Sequence, residues 1–421
     1  MNPHISLLTP KQIDRHYRRT LKVVVVSQAF GGAGLAAGLT VGVLIMEDML
    51  GTEALSGLAV ALLTLGAALA AFLVGRVTQK AGRRLALGFG FGSGGVGALG
   101  VIASTVVDSP PLFFVSLFLY GAGTATNLQA RYAGTDLAPA ERKGTAISIA
   151  MVATTLGAVA GPNLVEPMGS VAASMALDPL TGPFILGAAA YLIAGIILLA
   201  MLRPDPFLLA REIEIQEAQH LDSEAEPTTG LASLGSRRVV LVGALVMIIS
   251  QIVMVAIMTM TPIHMRAHDH ALGAVGLVIG LHIAGMWLPS LVTGLLVDKI
   301  GARLTAISSG VVLLISGLIA AFAPNNNLAG LILALVLLGV GWNLGLISGT
   351  TLVVQGTAPA TRAATQGSID VWVNIFGAGA GVFSGIMMSA AGFAALSIAG
   401  GIMALIIVPT LWLAPRKPIA V

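Results

Sequence analysis

The fold class predicted is an all-α integral membrane protein, with twelve transmembrane helices in two pseudo-symmetric six-helix halves. Three observations predict it. Charged residues make up 10% of the 421, against roughly a quarter in a soluble globular chain, while 56% are hydrophobic. Apolar runs repeatedly reach about 20 residues, enough at about 1.5 Å per residue to cross a hydrocarbon core of about 30 Å. The stretch GRVTQKAGRR at 75–84 returns 219 positions later as GLLVDKIGAR at 294–303, again between two apolar runs. The long unbroken runs also exclude a β-barrel, which needs short alternating segments.

Residues 1–22 form a polar, basic N-terminal segment. No short apolar region precedes it, so it is read as retained rather than as a cleaved signal. The first half, 23–202, holds spans near 23–46, 56–74, 85–107, 111–133, 144–166 and 180–202. Residues 203–238, the longest polar stretch, contain seven acids and are expected to be a linker, with EIEIQEAQ as a short surface helix. The second half, 239–412, holds spans near 239–262, 271–293, 304–323, 328–352, 366–389 and 392–412, and 413–421 is a tail.

Lysine and arginine resist translocation and so report orientation. They gather in the N-terminal segment (Lys11, Arg15, Arg18, Arg19, Lys22), in the second loop (Arg76, Lys80, Arg83, Arg84), in the fourth (Arg142, Lys143) and in the linker. In the second half Lys299, Arg303, Arg362, Arg416 and Lys417 fall on the same side. The expectation is a multi-pass protein of a bacterial inner membrane with both termini cytoplasmic. Among these loop residues only Arg266 lies outside. The net charge of +3 therefore reflects membrane orientation and gives no reason to expect nucleic acid as a partner. With no cysteine in the chain, disulfides, thiolate catalysis and cysteine-ligated metals are excluded.

The two repeated loops resemble the Gly-x-x-x-Asp-Arg-x-Gly-Arg-Arg loop of the major facilitator superfamily, and the span count, halves and linker extend that resemblance over nearly the whole chain. Gly75 matches Gly294, Lys80 matches Lys299, Gly82 matches Gly301 and Arg84 matches Arg303. GAVAGP in the fifth span, with Gly157, Gly161 and Pro162, resembles the antiporter motif that marks drug/proton exporters in that superfamily. Three departures accompany these matches, the first being that the fifth-span motif continues as Asn163-Leu164-Val165-Glu166 rather than ending in paired glycines. Gln79 stands where the first loop usually has its aspartate, which is present only as Asp298 in the second, and the fourth span lacks the arginine that usually precedes its glycines. The resemblance implies alternating access by rocking of the two halves about a central site.

The residues then suggest where chemistry sits. Gln366, Asp370 and Asn374 recur every four positions and share one face of the eleventh span. A carboxylate at membrane depth must pair, protonate or face water, so Asp370 is a candidate for proton coupling or gating, with a helix-terminal structural acid as the alternative. Arg131 is its candidate partner across the halves, and a local pair with Asp136 or Glu141 is equally open. Glu166 and His282 are weaker titratable candidates, each with a structural alternative. Gln28, Asn127, Gln251, Trp342 and Asn343, on the spans that the resemblance makes cavity-lining, together with Asn374, are candidates for substrate contact. Gly75, Arg76, Lys80, Gly82, Arg84, Gly294, Asp298, Lys299, Gly301 and Arg303 are expected to act as conformational loops. His264, His268, Asp269 and His270 have no second ligand pair, and no metal is expected. No cofactor is expected either, because GFGSGG lies inside a span without the strand-turn-helix setting of a nucleotide fingerprint.

An enzyme is excluded by the lack of any nucleophile-base-orienter arrangement. The function expected is secondary transport by a monomer in the lipid bilayer, as proton-coupled export of a small lipophilic or weakly polar molecule. Symport or uniport of a small metabolite, and a nontransporting receptor or assembly role, stay open as alternatives.

Overall fold

The computed structural model describes residues 8–35, 41–42, 45–46, 48–49, 56–224, 236–324 and 327–413. Its long helices are α1 (Pro10–Ala33), α2 (Ser56–Ala81), α3 (Arg83–Val106), α4 (Pro110–Ala133), α5 (Lys143–Asn163) and α6 (Gly182–Met201) in the first half. The second half has α7 (Arg237–Ala267), α8 (Leu272–Trp287 and Ser290–Ile300), α9 (Ala302–Phe322) and α10 (Leu328–Gly356). Arg362–Ala404 then turns at Gly392, φ 83°, giving α11 before the turn and α12 after it. Among the described residues nine stretches are long and apolar enough to cross a membrane, the last of them holding both α11 and α12. Helices α1 and α5 lie outside that set and take their places by packing on each other.

Helix α1 starts well before its apolar run, because Pro10 needs no amide partner in the first turn and Gln12 Oε1 accepts the Thr9 amide at 2.8 Å. The linker is more ordered than its composition suggests. A helix runs from Pro206 to Glu224, with Asp205 Oδ1 accepting the amides of Phe207 at 3.0 Å and Leu208 at 3.2 Å. The rest of the expected linker before Ser236, and the tail after Leu413, fall outside the described residues.

Lipid tails give helices no hydrophobic reason to associate, so close packing and buried polar contacts hold each half together. The glycine-rich α3 lies so close to α4 that a Cβ at Gly94 would sit 2.6 Å from the Gly123 Cα. Beside this contact Tyr120, Phe184, Tyr191 and Phe91 fill the first half's core, with Tyr120 set edge-on to Phe184 at 5.3 Å. The second half has its own core around Val246, Val253, Leu338 and Trp342. Between the halves α2 lies on α11 and α8 on α5.

Candidate functional site

The contacts between the halves gather at one end of the molecule, where α2 turns into α3, α8 turns into α9, α5 and α11 begin, and the linker helix sits. We call it the linker end. Both turns pass through a glycine in the left-handed region, Gly82 at φ 87° and Gly301 at φ 88°, which glycine adopts without steric cost. Each turn presents an acceptor to a helix N-terminus of the other half. Asp298 accepts the amides of Gly144 and Thr145, both at 2.8 Å, and the Thr145 hydroxyl at 2.5 Å, at the start of α5. Gln79 Oε1 accepts the amides of Ala363 at 3.0 Å and Ala364 at 3.4 Å, at the start of α11.

These contacts are the same contact made twice. Shifting every residue of the Gln79 set by 219 positions reproduces the Asp298 set, so the closed end has a pseudo-two-fold axis. The helix spacing obeys it too. A Cβ at Gly75 would lie 2.8 Å from the Ala363 carbonyl and the Gly367 Cα, and one at Gly294 would lie 2.1 Å from Ser148 Oγ. The two differ in one donor, since Ala364 lacks the Thr145 hydroxyl, and in charge: Asp298 brings a carboxylate to a helix N-terminus, worth about 0.3–1 kcal/mol, whereas Gln79 offers a neutral dipole. We expect Gly75→Ala to insert normally and lose transport, because its methyl meets backbone across the halves. Membrane yield together with vesicle flux checks this, and unchanged flux would contradict it.

Arg131 and Asp370 sit beside the axis. Arg131 Nη2 donates to Asp370 Oδ1 at 2.7 Å, its Nε donates to Thr350 Oγ1 at 3.2 Å, and Nη1 donates to the Leu128 carbonyl. The side chains are 1% and 8% exposed. Tyr132 closes the group, its hydroxyl 3.4 Å from Asp370 Oδ1 and its ring 4.4 Å from the Arg131 guanidinium carbon. The 219-residue shift maps Arg131 onto Thr350 and Asp370 onto Met151, so this ion pair has no symmetry mate. The local alternative for Arg131 is not what the structure shows, because Asp136 is taken by Arg83. Arg83 Nε to Asp136 Oδ2 is 2.9 Å and Nη2 to Oδ1 is 3.2 Å, and Nη2 also donates to Gln366 Oε1 of α11 at 2.7 Å.

The remaining candidates lie in several places. Gln28 Nε2 donates to the Asn127 carbonyl at 2.9 Å and to Thr154 Oγ1 at 3.1 Å, while Asn127 Nδ2 donates back to Gln28 Oε1 at 3.2 Å, tying α1, α4 and α5 inside the first half. Asn343 bridges the break in α8, donating to the Met286 carbonyl at 2.7 Å and to Ser290 Oγ at 2.8 Å. Trp342 Nε1 donates to the half-buried Gln251 at 2.7 Å, and Asn374 folds back onto the Asp370 carbonyl at 2.8 Å. His282 Nδ1 lies 2.7 Å from the Leu335 carbonyl, between α8 and α10. Glu166 is exposed, in the short helix Val165–Ser174 after α5. Gly157 lies against α1, where an added Cβ would be 2.2 Å from the Ala33 amide nitrogen. The surroundings of Gly161 and Pro162 lie outside the described residues. At the conformational loops Arg76 stacks on Phe72 at 4.3 Å, Lys80 and Lys299 are exposed, and Arg303 donates to the Leu411 carbonyl at 3.4 Å.

Sequence reasoning treated Arg83 only as a loop cation and gave Asp205 no role. Asp205 Oδ2 accepts the Arg84 amide at 2.8 Å and occupies the space a Gly82 side chain would need. A second internal repeat carried part of this information. Ala138-Pro139-Ala140 with Arg142, and Ala358-Pro359-Ala360 with Arg362, mark the two helix starts on which the loops act.

Two matched halves, each with six long helices among the described residues, and a clamp of buried charge between them define a membrane transport protein rather than an enzyme. The chain belongs to the Major Facilitator Superfamily, whose sequence profile matches residues 23–274. It is 55% identical over 401 residues to the protein named uncharacterized MFS-type transporter YdeG of Bacillus subtilis strain 168, covering 95% of this chain and 93% of that one. It is 29% identical over 407 residues to the riboflavin transporter RfnT of Brucella anthropi, covering 93% and 95%. The solved structure of the proton:xylose symporter XylE superposes with a TM-score of 0.71 at 17% identity, covering 95% of this chain and 96% of that one, which shows the shared fold.

Proposed function

We propose that this protein is a proton-coupled exporter working by alternating access, with the linker end on the cytoplasmic side and therefore closed to the cytoplasm here. The supporting observation is the Arg131–Asp370 pair: it joins the halves at the closed end, is buried, and has to break for that end to open. An unpaired buried carboxylate is costly, whereas a protonated one is far less so, which couples the opening of the end to proton binding. Asp370 is the coupling residue in this reading and Arg131 its gate partner, with Asn374 and the Gln251–Trp342 pair as candidate substrate contacts. The Gly157 contact between α5 and α1 fits the exporter motif, and the reading keeps the monomer as the working unit.

Few fixed charges among the candidate contacts favour a lipophilic or weakly polar solute. A neutral planar heterocycle is the first to try, given the relative named a riboflavin transporter. Uptake or uniport of such a compound is the second reading, since the name of that relative carries no direction of transport.

The test is substrate-evoked proton movement in sealed vesicles of purified protein, with riboflavin and neutral, cationic and weakly acidic lipophilic compounds screened against empty vesicles. An inward substrate gradient is expected to drive saturable proton efflux, lost in Asp370→Asn. Saturable flux without proton movement would favour uniport.

A further inference from the structure

We infer that Glu214, in the linker helix, is a positioning residue of the gate: it holds the closed linker end by sitting between two cations that belong to opposite halves. This rests on the alternating-access reading above. The first turns of the linker helix are fastened to the first half. Asp205 ties its start to the α2–α3 turn, and Phe207 lies under the Arg83 guanidinium at 5.5 Å. Leu209, Ala210 and Ile213 pack with Tyr17, Leu21, Leu137 and Ala146. At the next residue the helix reaches the other half, where Glu214 Oε1 accepts from Arg362 Nη2 at 3.1 Å.

Arg362 is the first residue of α11 and Lys143 the first residue of α5. A cation at a helix N-terminus stands at the unfavourable end of the dipole. Here two such ends, one from each half, are brought together by the Gln79 and Asp298 contacts. Burial, and next the neighbouring Arg362 guanidinium, push the Lys143 ammonium below its usual range, while Glu214 is the largest influence acting the other way. Closing the linker end therefore sets Lys143 against Arg362, and the linker carboxylate offsets the repulsion.

Opening separates these charges unevenly. Glu214 and Lys143 stay with the first half while Arg362 leaves with the second. The Glu214–Arg362 attraction therefore stabilises the closed state alone, and the linker has a part in the cycle beyond tethering.

The chain has no cysteine, so spin-label pairs can be placed on the full-length protein without background. Met201→Cys with Leu304→Cys reports the linker end, and Val107→Cys with Phe322→Cys reports the opposite end; all four positions are exposed. In vesicles, Glu214→Gln should raise the open-to-closed ratio at the linker end by about twofold to fivefold, the range for a partly exposed ion pair, with a reciprocal closing at the other end. Adding Lys143→Gln should return the ratio toward the parent, because the repulsion is then gone. A purely structural role in seating the linker helix predicts no such rescue. Glu214→Gln distances equal to the parent's, or a shift that Lys143→Gln leaves untouched, would overturn the inference. A parent whose two ends never exchange reciprocally would instead overturn alternating access itself.

Discussion

Asp370→Asn is expected to open the linker end at every pH tested. The substitution removes the only carboxylate that Arg131 touches among the described residues and leaves a guanidinium, 1% exposed, with neutral partners: Thr350, Tyr132 and the Leu128 carbonyl. Breaking one side of a buried ion pair costs about 3–5 kcal/mol, because the remaining charge stays desolvated. That energy falls on the closed state, since opening lets Arg131 find water. It corresponds to a change in the closed-to-open ratio of about a hundredfold to a few thousandfold. Arg131→Gln should behave differently. A guanidinium cannot discharge at accessible pH, but a carboxyl group can by taking up a proton. The linker end of Arg131→Gln should therefore stay closed in acid, where Asp370 is neutral, and open as pH rises. Spin-label distances across Met201→Cys and Leu304→Cys, followed through a pH series, check both. Matching pH responses in the two variants would remove the charge argument.

The parts of this arrangement that sequence made legible are those carried by composition and by repetition. Long apolar runs require helices, and the Gly75 and Gly294 segments recur at one offset, so the halves and their two turns could be placed before any coordinates. Asp370 was legible because a carboxylate within an apolar run demands an explanation. What stayed hidden were contacts whose partners are far apart in the chain. Nothing local distinguishes Arg83, which is buried and bidentate, from Arg76, which lies exposed on Phe72. Asp205 looked like any linker acid until its carboxylate was seen bridging the Arg84 and Phe207 amides. The polar residues expected at the cavity show the same limit. Gln28 and Asn127 are 99 positions apart and hydrogen-bond one another, which periodicity cannot reveal, while Asn127 Oδ1 keeps no partner among the described residues.

The symmetry of the clamp bears on mechanism. The glycine contacts and the helix-start contacts are duplicated about the axis, so they define a closed shape without favouring either half. The buried charges are not duplicated. Arg131 and Asp370 map onto a threonine and a methionine, and Arg83 maps onto Ala302. In the proposed proton-coupled cycle, sensitivity to protons would therefore enter a symmetric scaffold at unsymmetric places, and substitutions there would separate gating from packing.

Arg83 and Asp136 give the test of that separation with the largest expected effect on stability. Their side chains are 0% and 1% exposed. Beyond the two bonds to Asp136, the Arg83 guanidinium carbon stands 5.7 Å from the Tyr132 ring and 5.5 Å from the Phe207 ring, and Nη2 reaches Gln366 in the second half. Arg83→Ala or Asp136→Ala alone should lower the apparent melting temperature of the purified protein in detergent by several degrees or more, since each strands a buried charge at a cost of about 3–5 kcal/mol. Arg83→Lys should rescue little, because an ammonium cannot form the paired bonds of a planar guanidinium. The double variant Arg83→Met with Asp136→Leu removes both charges and keeps apolar volume, a change that is often neutral or stabilising. It should melt near the parent temperature yet close its linker end less firmly, because Gln366 has lost its donor. Recovery of both melting temperature and closed-state distances in the double variant would reduce Arg83 to a packing role, whereas recovery of stability alone would identify it as a gate contact between the halves.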